Sequence, residues 1–180
     1  MARQVKVITA AEAAALIKNG DTVTTSGFVA SAIPEALDRA VEERFLATGE
    51  PRDITYVYCG SQGNKDGRGA EHFAHEGLLK RYIAGHWATV PALQKMALEN
   101  KMEAYNVSQG ALCHLFRDIA AHRPGCFTKV GLGTFIDPRN GGGKVNDVTK
   151  EDIIELVNIK GQDYLFYPAF PINVALIRGT

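Results

Sequence analysis

The chain is poor in cysteine, has no excess of either charge and contains no long hydrophobic run, and each shortage excludes a class of protein. Its three cysteines, Cys59, Cys113 and Cys126, are odd in number and far apart, which argues against a disulfide framework and fits no zinc-ligand spacing. They read as reduced core thiols. Lys plus Arg and Asp plus Glu number 20 each, so there is no electrostatic footprint for DNA, RNA or an anionic membrane. Any anion site must be local. No apolar run nears the roughly 18 residues of a spanning helix, and Met1-Ala2-Arg3-Gln4-Val5-Lys6 leads into nothing resembling the apolar core of a secretory signal. The expected location is the cytoplasm. With 46% hydrophobic and 22% charged residues in 180 positions, the composition suits one domain with a sizeable core.

Glycine, by contrast, is placed with a pattern. Three glycine-rich turns each follow an apolar, β-branched run: Ser26-Gly27-Phe28, Gly60-Ser61-Gln62-Gly63, and Val130-Gly131-Leu132-Gly133-Thr134-Phe135 leading into Asn140-Gly141-Gly142-Gly143. Glycine at a strand's end lets backbone N–H groups come close to an anionic ligand. Gly27, Phe28, Gly60, Gly131 and Gly133 are therefore candidate substrate-binding residues. A fourth segment, Glu103 to Gly110, puts the amide of Gln109 at the mouth of a helix, where it can face a developing oxyanion.

Strands and helices alternate along the chain. Thr9 and Glu12 make a capping box for a helix over Ala10 to Asn19, stopped by Gly20, and Thr22 to Ser26 reads as a strand. Pro34 opens a second helix with apolar Leu37, Ala40, Val41 and Phe45 at helical spacing, ended by Gly49-Glu50-Pro51. A strand over Ile54 to Cys59, a polar loop over Gly60 to Gly69, a short helix over Ala70 to Lys80 and a helix over Pro91 to Asn100 follow. Next come a strand over Met102 to Tyr105, a helix over Ala111 to His122 capped by Ser108, and a strand over Phe127 to Gly131. Beyond Lys144 the runs Ile153 to Ile159, Tyr164 to Tyr167 and Val174 to Ile177 suggest an antiparallel annex. The expectation is an α/β fold: an open, mostly parallel sheet flanked by helices, with antiparallel strands toward the C-terminus and ligands beyond the carboxyl ends of the strands. An apolar strand followed only by Arg178-Gly179-Thr180 further suggests a piece of a longer polypeptide, or one half of a two-part protein.

Each candidate has a plainer alternative. Gln109 can simply satisfy local backbone at a helix start. The glycines can be turn geometry without a ligand, and Ile136 at the third glycine position argues against a dinucleotide site. His72, His75 and Glu76 are in the wrong order for a zincin helix and read as surface or core residues, so no metal is expected. Cys59 has no nearby base and reads as packing rather than as a nucleophile. His86 and Trp87 read as packing beside a pocket. Lys65, Arg68, Lys80 and Arg81 read as solvated charges rather than phosphate contacts, and Asp137 with Arg139 as a turn fixed by an ion pair.

Taken together, Ser26-Gly27-Phe28 with Ala32-Ile33-Pro34-Glu35-Ala36-Leu37, Glu42 to Gly49, Glu76 to Arg81, Gly85-His86-Trp87, Glu103 to Gly110, Gly131 to Lys144 and Ile177 to Thr180 cover almost the whole chain. This set resembles the amino-terminal (alpha-type) half of a family I coenzyme A transferase, and is most similar to the acetate or propionate type in which both halves are fused. The resemblance implies a ping-pong transfer of CoA between a short-chain acyl-CoA and a carboxylic acid through a glutamyl-CoA thioester. CoA would be a substrate, with no metal or redox cofactor. Gln109 matches the family's oxyanion-stabilising glutamine. The family's nucleophilic glutamate lies in the carboxyl-terminal half, and neither Glu35 nor Glu76 matches it. The implied partners are that missing half, acyl-CoA and a short-chain acid, in a homo-oligomer, and these 180 residues alone should be inactive.

The chain departs from the family at Ser26 and Ala32, where the usual signature has glycines. Neither residue tolerates positive φ well, so negative φ is expected at both. Two rival readings remain at this point: a phosphorylated-ligand-binding module of the same superfamily, and a purely structural partner for the other half.

Overall fold

The computed structural model describes residues 5–179. Met1 to Gln4 and Thr180, quoted above, lie outside the described residues. Five parallel strands form the main sheet: β1 (Thr22–Thr25), β2 (Ile54–Tyr58), β3 (Leu79–Ala84), β4 (Glu103–Asn106) and β8 (Val174–Leu176), in the order β4-β3-β2-β1-β8. Three antiparallel strands, β5 (Gly125–Thr128), β6 (Glu155–Ile159) and β7 (Gln162–Pro168), form a second sheet in the order β5-β7-β6. The helices are α1 (Ala10–Ala14), α2 (Glu35–Thr48), α3 (Pro91–Leu98) and α4 (Gln109–Ala120).

The main sheet feeds two cores because successive strand residues face opposite ways. One core gathers Val23, Tyr56, Tyr82 and Ala104 with Ala14, Ala40, Val41, Leu93 and Met96. The other gathers Val57, Ile83 and Tyr105 with Leu112 and Leu115 of α4 and Leu165 and Tyr167 of β7. The capping box at Thr9 is present, with Glu12 N–H on Thr9 Oγ1 and Thr9 N–H on the Glu12 carboxylate.

Four expectations are corrected. The helix over Ala70 to Lys80 is only a 3-10 turn, Gly69–Phe73, and its tail is the start of β3. The Lys80-Arg81 pair hides that strand in the sequence, but Arg81 is held against Glu103 on the neighbouring strand and against Glu151. The first helix stops at Ala14, because the chain must turn through Gly20, whose N–H reaches the Arg52 carbonyl, to enter β1. The strand after α4 is Gly125–Thr128, and it pairs with β7 in the annex rather than continuing the parallel sheet. Val174–Leu176 does the reverse, joining β1 in parallel at the edge of the main sheet.

Candidate functional site

The loops leaving β1 and β2 are laced together at the carboxyl rim of the main sheet. Val29 N–H donates to the Ser61 carbonyl at 3.2 Å and Gly63 N–H to the Val29 carbonyl at 2.9 Å. Phe28 and Ser31 exchange two backbone hydrogen bonds of 2.9 Å, closing a tight turn over residues 28–31. Gly27 has φ 111°, and a Cβ there would lie 2.8 Å from the Ser31 carbonyl oxygen, so this position requires glycine. Ala32 also has positive φ, at 54°. This corrects the expectation of negative φ: the alanine has taken over a glycine's backbone conformation, with its strain.

Beneath this turn the side chains of the second glycine segment point inward, not toward a ligand. Ser61 and Gln62 are fully buried. Gln62 Oε1 accepts from Thr25 Oγ1 at 2.5 Å and from the Tyr56 hydroxyl at 2.7 Å. Gln62 Nε2 donates to the Ser26 carbonyl, and the Tyr58 hydroxyl donates to the Gly27 carbonyl. The Gly27-Phe28 turn is thus tied down from below by residues of β1, β2 and the loop after β2. This support carries no local signal in the sequence, because polar residues beside glycines read as exposed loop.

Gly85 directly follows β3, and α4 begins against it. A Cβ on Gly85 would lie 2.9 Å from Gln109 Cα and collide with the Cys59 carbonyl. This missing side chain lets the start of α4 come up to the end of β2. Gln109 is the first residue of α4, and Ser108 supplies the capping oxygen, accepting from Ala111 N–H at 3.4 Å. The plainer role for Gln109, satisfying the helix start, is thereby already filled. Its side chain is exposed and makes no hydrogen bond among the described residues. A Cβ on Gly60 would lie 3.4 Å from Gln109 Oε1 and 3.6 Å from Phe28 Cε2. Gly60 therefore sits between the amide and the half-exposed Phe28 ring, and Gly27, Phe28, Gly60 and Gln109 are brought to one place. The amide stands at the positive end of a twelve-residue helix, an arrangement that suits a negatively charged oxygen.

Gly131 and Gly133 belong to a different environment. Gly131 packs on Leu165 and Ile136, and Gly133 N–H donates to Asp137 Oδ2 at 2.9 Å. Arg139 holds Asp137 through Nε at 2.9 Å and Nη2 at 2.6 Å, the expected ion-paired turn, and draws its carboxyl well below the usual range. This turn follows β5, so it sits on the annex rather than at the end of a parallel strand. From the same glycine-rich segment it is Gly143 that reaches the main sheet, its carbonyl accepting from Asn106 N–H at 2.8 Å.

Three other groups differ from their sequence readings. Cys113 is exposed, Cys59 half-buried and Cys126 buried, so only one cysteine fits a core thiol fully. Arg81 is no solvated charge: it is paired as described above. His72 is neither an apolar core residue nor a free surface one, since Nδ1 lies 2.5 Å from Glu42 Oε2 and Nε2 3.0 Å from Glu35 Oε1. Carboxylates only accept hydrogen bonds, so both ring nitrogens donate and the ring is an imidazolium. Burial pulls its pKa down, but Glu35 and Glu42 outweigh burial and raise it. Asp38 lies buried beside this cluster with no hydrogen-bond partner on either oxygen among the described residues, and desolvation pushes its carboxyl up to about 7. Among the described residues no group of three or more His, Cys, Asp or Glu side chains is arranged to hold a metal ion.

A cavity of about 300 Å³ lined by His86, Trp87, Gln94, Leu98, Asn106 and Val145 opens at the ends of β3 and β4. Trp87 both lines it and packs edge-on against Tyr82, with ring centroids 4.7 Å apart. A second cavity, of about 230 Å³, is lined by Thr22 and Arg81 of the main sheet, Leu112 and Leu115 of α4, and Tyr167 and Phe170. No helix among the described residues is long and apolar enough to cross a membrane.

Comparison with known proteins places this geometry. The sequence model of the coenzyme A transferase family matches residues 7–180. The chain is 42% identical to caffeate CoA-transferase of Acetobacterium woodii, over 97% of this chain and 33% of that protein. It is 39% identical to acetate CoA-transferase YdiF of Escherichia coli K12, over 98% of this chain and 34% of that protein. A crystal structure of the acyl-CoA transferase YdiF from E. coli O157:H7, described as a thioester complex with CoA, superimposes with a TM-score of 0.89 at 38% identity, over 96% of this chain and 34% of that one. The chain thus spans about a third of the length of these relatives. A rim of parallel strands, an exposed amide at a helix start and a likeness spanning nearly every residue have one common account: the chain belongs to the coenzyme A transferase family, family I, and corresponds to its amino-terminal portion.

Proposed function

We propose that this chain is the amino-terminal part of an enzyme that moves CoA between a short-chain acyl-CoA and a carboxylic acid such as acetate. The observation that carries the reading is the Gln109 amide, exposed at the start of α4 and facing Gly60 and Phe28. The nucleophile is a glutamate of a carboxyl-terminal half, the chain's partner in the working enzyme. Its carboxylate attacks the thioester carbonyl and releases CoA thiolate, leaving an acyl-glutamyl anhydride. CoA thiolate then attacks the glutamyl carbonyl of that anhydride, releasing the first acid and forming a glutamyl-CoA thioester. The acceptor acid reverses both steps. Every step passes through a tetrahedral oxyanion, and a carboxylate is a weak nucleophile, so donors to that oxygen matter. Gln109 Nε2–H supplies one. Phe28 and Gly60 form the wall beside it, and the turn tied down by Gln62 and Tyr58 keeps that wall in place. CoA enters as a substrate, and the mechanism asks for no metal or redox cofactor.

On this reading the chain alone does not transfer CoA, and the protein joined to its glutamate-bearing half does. The test is exchange between acetyl-CoA and labelled propionate, acetoacetate or butyrate, with Gln109→Ala beside the parent. Losing one oxyanion donor should cut turnover by roughly 100-fold or more, with fold and expression unchanged. A variant that turns over at the parental rate removes Gln109 from the mechanism, and a parent that exchanges none of these acids overturns the activity itself.

A further inference from the structure

We propose that the cavity of about 300 Å³ at the ends of β3 and β4 is the acyl-tail pocket of the transferase site, and that it fits the enzyme to medium-length carboxylic acids such as hexanoate. The assignment depends on the Gln109 site proposed above and gives that site a substrate class. Two short links join the cavity to the Gln109 cluster. His86, in its wall, follows the Gly85 against which α4 packs, and its N–H donates to the Gly60 carbonyl at 3.4 Å. Asn106, also in its wall, precedes Gln109 with only Val107 and Ser108 between them. An acyl group whose carbonyl meets the amide can lay its tail past His86 into this space.

The lining suits an uncharged tail. Trp87, Ala97, Leu98 and Val145 supply carbon surface, and no lysine, arginine, aspartate or glutamate lines the cavity. At about 30 Å³ per non-hydrogen atom the space takes roughly ten such atoms, whereas acetate brings only a methyl group beyond its carboxylate. The walls are held by contacts of their own. Trp87 packs edge-on against the buried Tyr82, and its carbonyl accepts from Gln94 Nε2 of α3. The facing wall comes from the third glycine segment: the Gly143 carbonyl accepts from Asn106 N–H at 2.8 Å and Val145 N–H donates to the Ala104 carbonyl at 2.9 Å, so this stretch runs beside β4. A Cβ on Gly143 would lie 2.8 Å from the Asn106 carbonyl oxygen, so the approach requires glycine. The segment therefore serves the ligand by building a wall rather than by offering N–H groups to an anion.

The test uses the chain joined to its glutamate-bearing half, with acetyl-CoA as donor, propionate or hexanoate as acceptor, and the acyl-CoA products measured by mass spectrometry. Each methylene moved from water into an apolar pocket favours binding by about 4-fold, so the longer tail of hexanoate should raise kcat/KM over that of propionate by roughly 10-fold or more. Val145→Trp, which fills the cavity from a half-exposed position, should lower this hexanoate-to-propionate ratio by about 10-fold. Leu98→Trp, at a still more exposed position in the same lining, should do likewise, so the outcome does not hang on one variant's folding. Ile159→Trp, the same bulk at an exposed position of β6 outside the lining, should leave the ratio at the parental value. A parent that prefers propionate, or a ratio that neither Val145→Trp nor Leu98→Trp moves, overturns the pocket and leaves the activity standing. A parent that transfers CoA to neither acid overturns the activity and the pocket with it.

Discussion

Replacing Asp38 with asparagine should stabilise the protein progressively as the pH rises from 5 to 8. In the unfolded chain this carboxyl loses its proton near its ordinary 3.8, whereas in the fold burial holds the proton until about 7. Between those values the native state binds more protons than the unfolded state, so stability falls with rising pH, by up to about 1.4 kcal/mol per unit. Above about 7 the loss is complete, and it amounts to about 4 kcal/mol in all. His72 and the two glutamates titrate as well. His72, with its pKa raised, stabilises the fold fully below its ordinary 6.5, and that contribution drains away as the pH climbs through its folded pKa. Glu35 and Glu42 feel burial, which raises them, but hydrogen bonds and the charged histidines prevail and lower both, so their contribution fades as acid protonates them. All three remain in the variant, and subtracting its stability curve from the parent's isolates Asp38. Urea unfolding followed by circular dichroism at pH 5, 6, 7 and 8 should show the gap widening by roughly 2–3 kcal/mol in favour of asparagine. Parallel curves, or a gap that narrows with pH, would refute the reasoning, because a solvated or hydrogen-bonded carboxylate has no such penalty to relieve.

Four further substitutions examine the turns around Gln109. Ala32→Gly should raise stability by roughly 0.5–1 kcal/mol, read by urea unfolding, because the positive φ strains alanine by more than glycine's extra chain entropy costs. Gly85→Ala should cost about 1–3 kcal/mol by overpacking against Cys59 and Gln109, while Gly60→Ala, whose new methyl meets Gln109 at an ordinary 3.4 Å, should fold with near-parental stability. Gln62→Leu should cost about 1–3 kcal/mol, since it strands the Ser26 carbonyl and leaves the buried Thr25 and Tyr56 hydroxyls, 2.5 Å apart, with only each other as partners; an unchanged denaturation midpoint would mean that the Ser26 carbonyl finds another partner.

Local signals carried the helices and the first two strands. Thr9 with Glu12, Ser108 before α4 and Gly49 after α2 are caps whose chemistry is complete within a few residues, and all three act as read. β3 escaped because Lys80 and Arg81 interrupt its apolar run, and the reason Arg81 can sit there, Glu103 on the next strand and Glu151, is visible only once the chain is folded. Which sheet a strand joins is equally nonlocal. The sequence pattern groups β8 with its neighbours along the chain, yet its partner β1 lies at the other end of the chain, where Asn173 Oδ1 accepts from Thr22 N–H at 2.8 Å. Gln109, Gly27, Phe28 and Gly60 could be picked out because an amide at a helix start and glycines after strands are chemically distinctive. Gln62, Tyr56 and Thr25 could not, since nothing in a residue's identity says whether its polar end turns toward solvent or inward.

The double-sided main sheet makes next-door residues strangers in energetic terms. Tyr56 belongs to the layer built with α2 and α3, whereas Val57, one peptide bond away, belongs to the layer built with α4 and the annex. Truncations at these two sites should combine additively, while pairs distant in sequence but sharing a layer, such as Val57 with Leu112, should not. In this chain, closeness along the backbone is therefore a poor guide to which positions must change together, and the side of the sheet is the better one.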